Sequence, residues 1–208
     1  MSTVKICDHP LINHKLAHAR NLKTGTKDFR EAVNEIAGLM TFEITRNLRT
    51  QTMEVETPIC KTKCMVLDMQ IVVVPILRAG LGMVEGIQSL IPTIKIGHLG
   101  IFRCETTLNP KIYFQKFPEN LDKSLVLVVD PMLATGGSAV EAIRILKEQG
   151  AKDIRFVGLV GCPEGISRMQ MNHPDVDIYL AAVDSHLNEK GYIVPGLGDC
   201  GDRLFGTK

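Results

Sequence analysis

Alternating strand and helix patterns between residues 71 and 183 limit the fold of this chain more than any other feature. Two uninterrupted apolar runs, 71–74 and 125–129, are rich in β-branched residues, as is typical of strands buried on both faces of a parallel sheet. Further strands are predicted at 93–102, 154–160 and 177–183, with helical patterns up to about Leu90, at 138–150 and at 163–174. This order predicts an α/β fold with an open, mostly parallel sheet flanked by helices.

The segment before this alternation predicts one long helix and a peripheral hairpin. Apolar residues from Phe29 to Leu48 recur at spacings of three and four, which indicates one face of a helix. Asp28, with Glu31 three positions later, resembles a capping box that begins this helix. Short alternating pieces at about 51–69, divided by Pro58, predict two hairpin strands outside the main core.

Composition excludes several classes of protein. The 208 residues fit one domain, and a formal net charge of +1 provides no global field for nucleic acid or an anionic membrane. No apolar run approaches the roughly 18 residues of a membrane helix, and the N-terminal stretch lacks the apolar core of a secretory signal. Cys60 and Cys64 have no second Cys or His pair at a zinc-like distance, so we interpret the six cysteines as reduced thiols of a cytoplasmic protein.

The stretch LVVDPMLATGGSA at 127–139 holds the strongest signal for a ligand. Ligands of open α/β sheets bind beyond the carboxyl ends of strands. Thr135, Gly136, Gly137 and Ser138 fall where a strand gives way to a helix, so free N–H groups, the helix dipole and two hydroxyls favour a bound phosphate. Asp130 would repel that phosphate and suits hydrogen-bond donors such as sugar hydroxyls. A sugar phosphate such as a ribose 5-phosphate fits both halves of the loop.

Two other interpretations of this stretch stay open at the level of pattern. Asp-Pro and Gly-Gly are common turn pairs, so the segment also fits a tight turn with a flexible joint. A nucleotide-hydrolase phosphate loop requires a Gly-Lys-Ser/Thr run, and LATGGSA contains no lysine.

Longer motifs resemble those of a known family. VVDPMLATGGSA resembles the phosphoribosyl-pyrophosphate loop of type I phosphoribosyltransferases, with Pro131 in place of a second acidic residue as in the uracil branch. VVPILRAGLGMVEG at 73–86 and GYIVPGLGDCGDRLFGTK at 191–208 are similar to the same branch, as are IYFQKFP and HPLINHKLAHAR. The resemblance spans nearly the whole chain, departs most at 49–65, and implies one phosphoribosyltransferase domain with a flap at about 103–118 and a base-binding C-terminal hood at about 184–208.

The resemblance implies that uracil and phosphoribosyl pyrophosphate are converted to UMP and diphosphate. Arg78 and, on the flap, Arg103 are expected on the pyrophosphate, while Asp130 is expected to contact the ribose hydroxyls and stabilise charge on the sugar. The implied catalytic residues are Asp130, Arg103 and Asp199. The implied binding residues for phosphoribosyl pyrophosphate are Arg78, Arg103, Asp130, Pro131, Met132, Leu133, Ala134, Thr135, Gly136, Gly137, Ser138 and Asp199.

The tail is expected to recognise the base through its backbone. The resemblance places Ile193, Gly198, Asp199 and Cys200 around uracil, with Cys200 contributing its backbone rather than its thiol. A glycine-rich tail also fits a disordered terminus, against which Phe205 offers an apolar anchor. Whether Asp199 acts as a base at the uracil nitrogen stays open.

Cofactor, partners and rival functions follow from the same resemblance. Magnesium is expected to arrive with the diphosphate, a set of hard oxygen ligands, and no protein metal ligands are predicted. The family forms homodimers or larger assemblies, and some members are activated by GTP at a site that we do not locate in the sequence. Two rival functions remain: a pyrimidine-sensing regulator of the same fold that binds RNA, which should show a basic patch, and a transferase for a purine base.

Overall fold

The computed structural model describes residues 2–103 and 110–207, and of Phe102, Arg103 and Pro110 it describes the backbone alone. The strands are β1 Val4–Ile6, β2 Thr50–Glu56, β3 Lys61–Leu67, β4 Gln70–Leu77, β5 Lys95–Ile96, β6 His98–Arg103, β7 Pro110–Lys116, β8 Ser124–Val129, β9 Met132–Leu133, β10 Asp153–Gly161, β11 Asp177–Val183, β12 His186–Leu187 and β13 Ile193–Val194. The helices are α1 Pro10–Arg20, α2 Thr26–Ile44, α3 Leu81–Leu90, α4 Gly137–Glu148, α5 Pro163–Asn172 and α6 Cys200–Phe205, with a short 3-10 turn at Leu121–Lys123.

Within the described ranges, the main sheet has the order β1-β11-β10-β8-β4-β6-β7. The pairs from β1 through to β6 are parallel, and only β7 runs antiparallel, against β6. The predicted open, mostly parallel sheet flanked by helices is therefore confirmed. Because the strand order reverses between β8 and β4, the carboxyl ends of these two strands lie side by side at a topological switch point.

Alternation along β8 divides the protein into two cores. Leu125, Leu127 and Val129 pack in one apolar cluster with residues of α1, α2, α3 and α6. Val126 and Val128 point to the opposite face and pack with residues of α4. Side chains of consecutive strand residues point to opposite faces, and here both faces are covered. This explains the uninterrupted apolar run in the sequence.

Two local predictions were wrong in their boundaries. Helix α2 begins at Thr26 with Gly25 as its N-cap, so Asp28 lies in the first turn and does not cap the helix. The single strand predicted at 93–102 is two strands with Gly97 between them, because pairing with β4 lapses at Val74 and Pro75. Strand β5 pairs with Val72 and Val73, and β6 pairs further along β4.

The chain beyond β11 is ordered rather than a loose terminus. Strands β12 and β13 form a small antiparallel pair, and α6 packs on α2. The apolar anchor is Leu204, which is fully buried, whereas Phe205 is 40% exposed, so the expectation of Phe205 as the anchor was wrong. A side chain at Gly82 would clash with Leu204, at 2.8 Å from its Cδ1, so this glycine makes room for the anchor.

The segment around 51–69 forms an antiparallel hairpin of β2 and β3 that pairs in register from Thr50–Leu67 to Glu56–Lys61. Nearly all of its side chains are exposed or half-buried. The hairpin therefore lies outside both cores.

Candidate active site at the carboxyl ends of β4 and β8

The turn after β4 places Arg78 at the edge of the sheet. Gly80, two residues after Arg78, is closely packed. A side chain on Gly80 would lie 2.8 Å from the Ile76 nitrogen and would collide with the Val129 carbonyl oxygen at the end of β8. The turn is therefore compact, and it touches the strand that leads into Asp130. The Arg78 guanidinium is half-exposed and makes hydrogen bonds of 3.3 Å to the Asp202 carboxylate and the Thr207 hydroxyl.

Asp130 begins the loop after β8 and is held by its backbone. Its N–H donates to the Val157 carbonyl at 3.1 Å, and its carboxylate accepts the Met132 N–H at 3.4 Å. The surrounding protein excludes most of the water around this side chain, and this burial raises the pKa of Asp130 to about 7. A carboxyl that retains its proton so readily gains from a neighbouring donor or positive charge.

The rest of the predicted loop wraps around the start of α4. The Pro131 carbonyl accepts the N–H groups of Leu159 and Val160 at 2.9 and 3.0 Å, and Met132–Leu133 pairs with β10 as β9. Gly136, with a φ of 75°, is the N-cap of α4, a left-handed conformation that glycine adopts without strain. The first N–H groups of a helix have no partner within it. The predicted phosphate cup therefore coincides with an observed helix start.

The tail returns to the same edge. Ile193 and Cys200 are buried, and Gly198 has a φ of 80°. Asp199 is the N-cap of α6, where its carboxylate accepts the Asp202 N–H at 2.9 Å. Burial raises the pKa of the Cys200 thiol, and the negative charges of Asp130 and Asp199 raise it further. Both carboxylates therefore lie around Cys200, where the loop and the tail meet.

The structure thus brings together residues that are far apart in sequence. A Cβ atom added to Gly201 would lie 3.8 Å from the Arg78 guanidinium and 3.3 Å from Asp199 Oδ1. The predicted site residues gathered here are Arg78, Asp130 with the loop to Ser138, Ile193, Gly198, Asp199 and Cys200. The side chain of Arg103 and residues 104–109 lie outside the described residues, so the role of Arg103 stays a prediction. Of the predicted flap at 103–118, residues Pro110–Lys116 form β7.

Sequence reasoning missed a buried ion pair behind the tail. Arg20, at the end of α1, donates two hydrogen bonds of 2.7 Å to the Asp184 carboxylate and one of 2.7 Å to the Gly196 carbonyl. The Gly196 N–H donates to the same carboxylate at 2.8 Å. Arg20 and Asp184 are 164 positions apart, so no local pattern links them.

Arg203 forms a second link that sequence reasoning missed. Its guanidinium donates to the carbonyls of Ala19, Asn21 and Leu197 and lies 4.1 Å from the centre of the Phe29 ring. The cation lies at the end of α1, where carbonyl groups accumulate negative charge. Arg20 and Arg203 together fix the C-terminal tail at 184–208 to the N-terminal helices.

A second concavity lies away from these residues. A groove of about 1010 Å³ runs between β1, α1, α2 and α3, and its lining contains none of the predicted site residues. Within residues 2–103 and 110–207, no group of three or more His, Cys, Asp or Glu side chains is arranged to hold a metal ion. Across the same residues, no helix is long and apolar enough to cross a membrane. The candidate active site is therefore assigned from the chemistry of its residues and not from the volume of a cavity.

Comparison with solved structures defines the class of protein. Adenine phosphoribosyl transferase from Trypanosoma brucei superposes with a TM-score of 0.58 at 12% identity, covering 89% of this chain and 84% of that one. An Aquifex aeolicus protein superposes with a TM-score of 0.93 at 39% identity, covering 98% of each chain. The fold is that of the type I phosphoribosyltransferases.

Sequence comparison narrows this class. The family profile of uracil phosphoribosyltransferase matches residues 6–207. Proteins named uracil phosphoribosyltransferase from Acholeplasma laidlawii and Clostridium acetobutylicum are 62% and 59% identical over the full length of both chains. The chain belongs to the uracil phosphoribosyltransferase family. These full-length relatives do not support the alternative of an RNA-binding regulator.

Proposed function

We propose that this protein transfers the phosphoribosyl group of phosphoribosyl pyrophosphate to uracil, forming UMP and diphosphate in pyrimidine salvage. The observation that carries the proposal is the meeting of Arg78, Asp130 and Asp199 where the loop after β8 touches the tail. Membership of the family supports the choice of uracil as the base. We further propose that the whole chain works as one phosphoribosyltransferase domain.

In this reaction the bond between C1′ and the diphosphate oxygen breaks as the nitrogen of uracil approaches. Positive charge develops on the sugar, and negative charge accumulates on the leaving diphosphate. Arg78 is suited to the diphosphate because its guanidinium offers a fork of donors at the edge of the sheet. The guanidinium is held there by hydrogen bonds to Asp202 and Thr207.

Asp130 is assigned to the sugar. Its carboxylate would accept hydrogen bonds from the ribose hydroxyls, and its negative charge would stabilise the cationic sugar. Among the described side chains no Lys, Arg or His lies within 4.0 Å of the Asp130 carboxylate, and burial raises its pKa to about 7. The bound sugar would supply the missing donors and so favour the ionised form.

The start of α4 is assigned to the 5′-phosphate, with N–H groups and the hydroxyls of Thr135 and Ser138 as donors. Ile193, Gly198, Asp199 and Cys200 are assigned to uracil, whose edge of alternating donors and acceptors suits rigid backbone groups. Arg103 is proposed to reach the diphosphate from the flap and to exclude water there.

Magnesium is proposed to enter with the diphosphate, where it would neutralise charge on the leaving group. The chemistry of the nearby donors fits this ion, because Asp130 and Asp199 offer carboxylate oxygens, which are hard ligands. Asp199 is exposed, so it can meet the ion directly or through water.

A panel of bases tests the function. Purified protein is mixed with phosphoribosyl pyrophosphate, magnesium and either uracil, cytosine, hypoxanthine or orotate, and diphosphate release is measured. Release with uracil alone is expected. Release with hypoxanthine but not uracil would overturn the proposal in favour of a purine transferase.

Assembly, regulation and location are proposed on the family resemblance. We propose a homodimer or larger homo-oligomer, activation by GTP in that assembly, and a cytoplasmic location. Free thiols at Cys7, Cys60, Cys64, Cys162 and Cys200 support a reducing compartment. Light scattering with and without GTP, read beside the rate of diphosphate release, tests the first two proposals.

A further inference from the structure

Helix α5 packs directly on the proposed phosphate loop. The Cys162 thiol donates to the Ala134 carbonyl at 3.3 Å, and its N–H donates to the Leu133 carbonyl at 3.3 Å. A side chain on Gly165 would lie 2.5 Å from the Leu133 carbonyl oxygen and would collide with that of Ala134. The first turn of α5 therefore packs against the backbone of the loop at Leu133 and Ala134.

Arg168 lies three positions after Gly165, so both residues are on the same face of α5. Its Cβ lies 3.3 Å from the point that a side chain on Gly136 would occupy. Its guanidinium lies 3.7 Å from the corresponding point on Gly137, and the Thr135 hydroxyl lies 3.7 Å from that same point. The guanidinium of Arg168 therefore lies next to the first residue of α4.

This placement is electrostatically unfavourable in the free protein. The start of a helix carries partial positive charge, which repels a neighbouring cation. Within residues 2–103 and 110–207, no carboxylate lies within 4.0 Å of the Arg168 guanidinium. Arg144, on α4, shows the contrast, because Glu141 and Glu148 both pair with it. An anion between Arg168 and the start of α4 would relieve this repulsion.

We infer that Arg168 is a further binding residue for the 5′-phosphate of the phosphoribosyl substrate. The inference rests on the proposed function and deepens it. The motif residues 130–138 form one side of the phosphate site, and the Arg168 guanidinium forms the other. Sequence reasoning did not find Arg168, because an exposed arginine on an amphipathic helix has the pattern of an ordinary surface residue.

The Arg168→Ala variant tests the inference. We expect the KM for phosphoribosyl pyrophosphate to rise roughly tenfold, which is the scale of one hydrogen-bonded charge. The charge of the 5′-phosphate does not change during the reaction, so kcat should stay nearly constant. The inhibition constant of ribose 5-phosphate should rise by a similar factor, whereas that of inorganic pyrophosphate should not change.

Two further variants sharpen the result. Arg168→Lys keeps the charge and should recover part of the affinity for ribose 5-phosphate. Arg144→Ala removes an exposed arginine of α4 that already has partners, and it should leave both inhibition constants unchanged. Equal affinity of Arg168→Ala and wild type for ribose 5-phosphate would overturn the inference while leaving the proposed function standing. Absence of uracil-dependent turnover in the wild type would instead overturn the proposed function.

Discussion

At the scale of single residues, the buried carboxylate of Asp130, which we propose contacts the sugar, lowers the stability of the protein at neutral pH. Its pKa is raised from 3.8 to about 7 by burial, so the folded state holds its proton more tightly than the unfolded state. The free energy of unfolding that this residue contributes is therefore greatest at low pH and falls as the pH rises from 3.8 to about 7. Motif reasoning alone identified Asp130, because the residue ends a buried apolar run and begins a glycine-rich turn.

We predict that Asp130→Asn lowers kcat by roughly 10²-fold or more, because a stabilising charge at the reacting sugar is lost. The same variant should be more stable than wild type at pH 8 by about 1–4 kcal/mol, since an amide is buried at less cost than a charge. Urea denaturation from pH 4 to 8 measures the difference, which should grow with pH and level off above about 7.

Asp153→Asn is the control for this prediction. It removes an exposed carboxylate from the start of β10 and should leave turnover unchanged. Parallel stability curves for Asp130→Asn and wild type, or unchanged turnover, would remove Asp130 from its assigned role.

At the scale of elements, the strands of the sheet were predictable because β-branched runs buried on both faces stand out in sequence. The split between β5 and β6 was not predictable, since it depends on where pairing with β4 lapses, at Val74 and Pro75. The packing of α5 on the phosphate loop was likewise missed. Gly165 inside a helical pattern gives no local sign that a carbonyl of another loop lies against it.

We predict that Gly165→Ala displaces the loop at 133–136, because the added methyl group would overlap two of its carbonyl oxygens. The KM for phosphoribosyl pyrophosphate should rise at least tenfold, and the protein should lose roughly 1–3 kcal/mol of stability through overpacking. Kinetics with varied phosphoribosyl pyrophosphate and a thermal melt measure the two effects.

Gly25→Ala is the matched control, because nothing lies within 4 Å of the position that its added methyl group would take. Gly25→Ala should leave the KM for phosphoribosyl pyrophosphate unchanged. Its only loss of stability should come from a weaker N-cap of α2. If Gly165→Ala binds phosphoribosyl pyrophosphate as wild type does, the loop does not depend on α5 for its shape.

At the scale of the whole molecule, the Arg20–Asp184 pair joins the first helix to the C-terminal tail, where we propose that uracil binds. The Asp184 side chain is only 6% exposed, and that of Arg20 is 24% exposed, so the pair is screened from solvent. Both residues also bond to Gly196, close to the residues proposed for uracil. Sequence reasoning found the tail through its glycine-rich motif but not its support, because that support is created only by folding.

We predict that Asp184→Asn destabilises the protein by roughly 3–5 kcal/mol, since it leaves a poorly hydrated guanidinium without its counter-charge. The KM for uracil should rise more than that for phosphoribosyl pyrophosphate, because Gly196 loses a fixed acceptor. Glu43→Gln, at the exposed pair with Arg46, should change little. A larger effect on phosphoribosyl pyrophosphate than on uracil would contradict this role of the pair.

Strand β1 occupies the edge of the sheet and pairs only with β11 among the described strands, with Val4 opposite Ile178. During synthesis β1 leaves the ribosome well before β11, the strand that pairs with it, is made. The long delay between the two events exposes an unpaired edge, which other chains can recruit. A nascent chain interrupted before residue 177 would therefore be a client for chaperones.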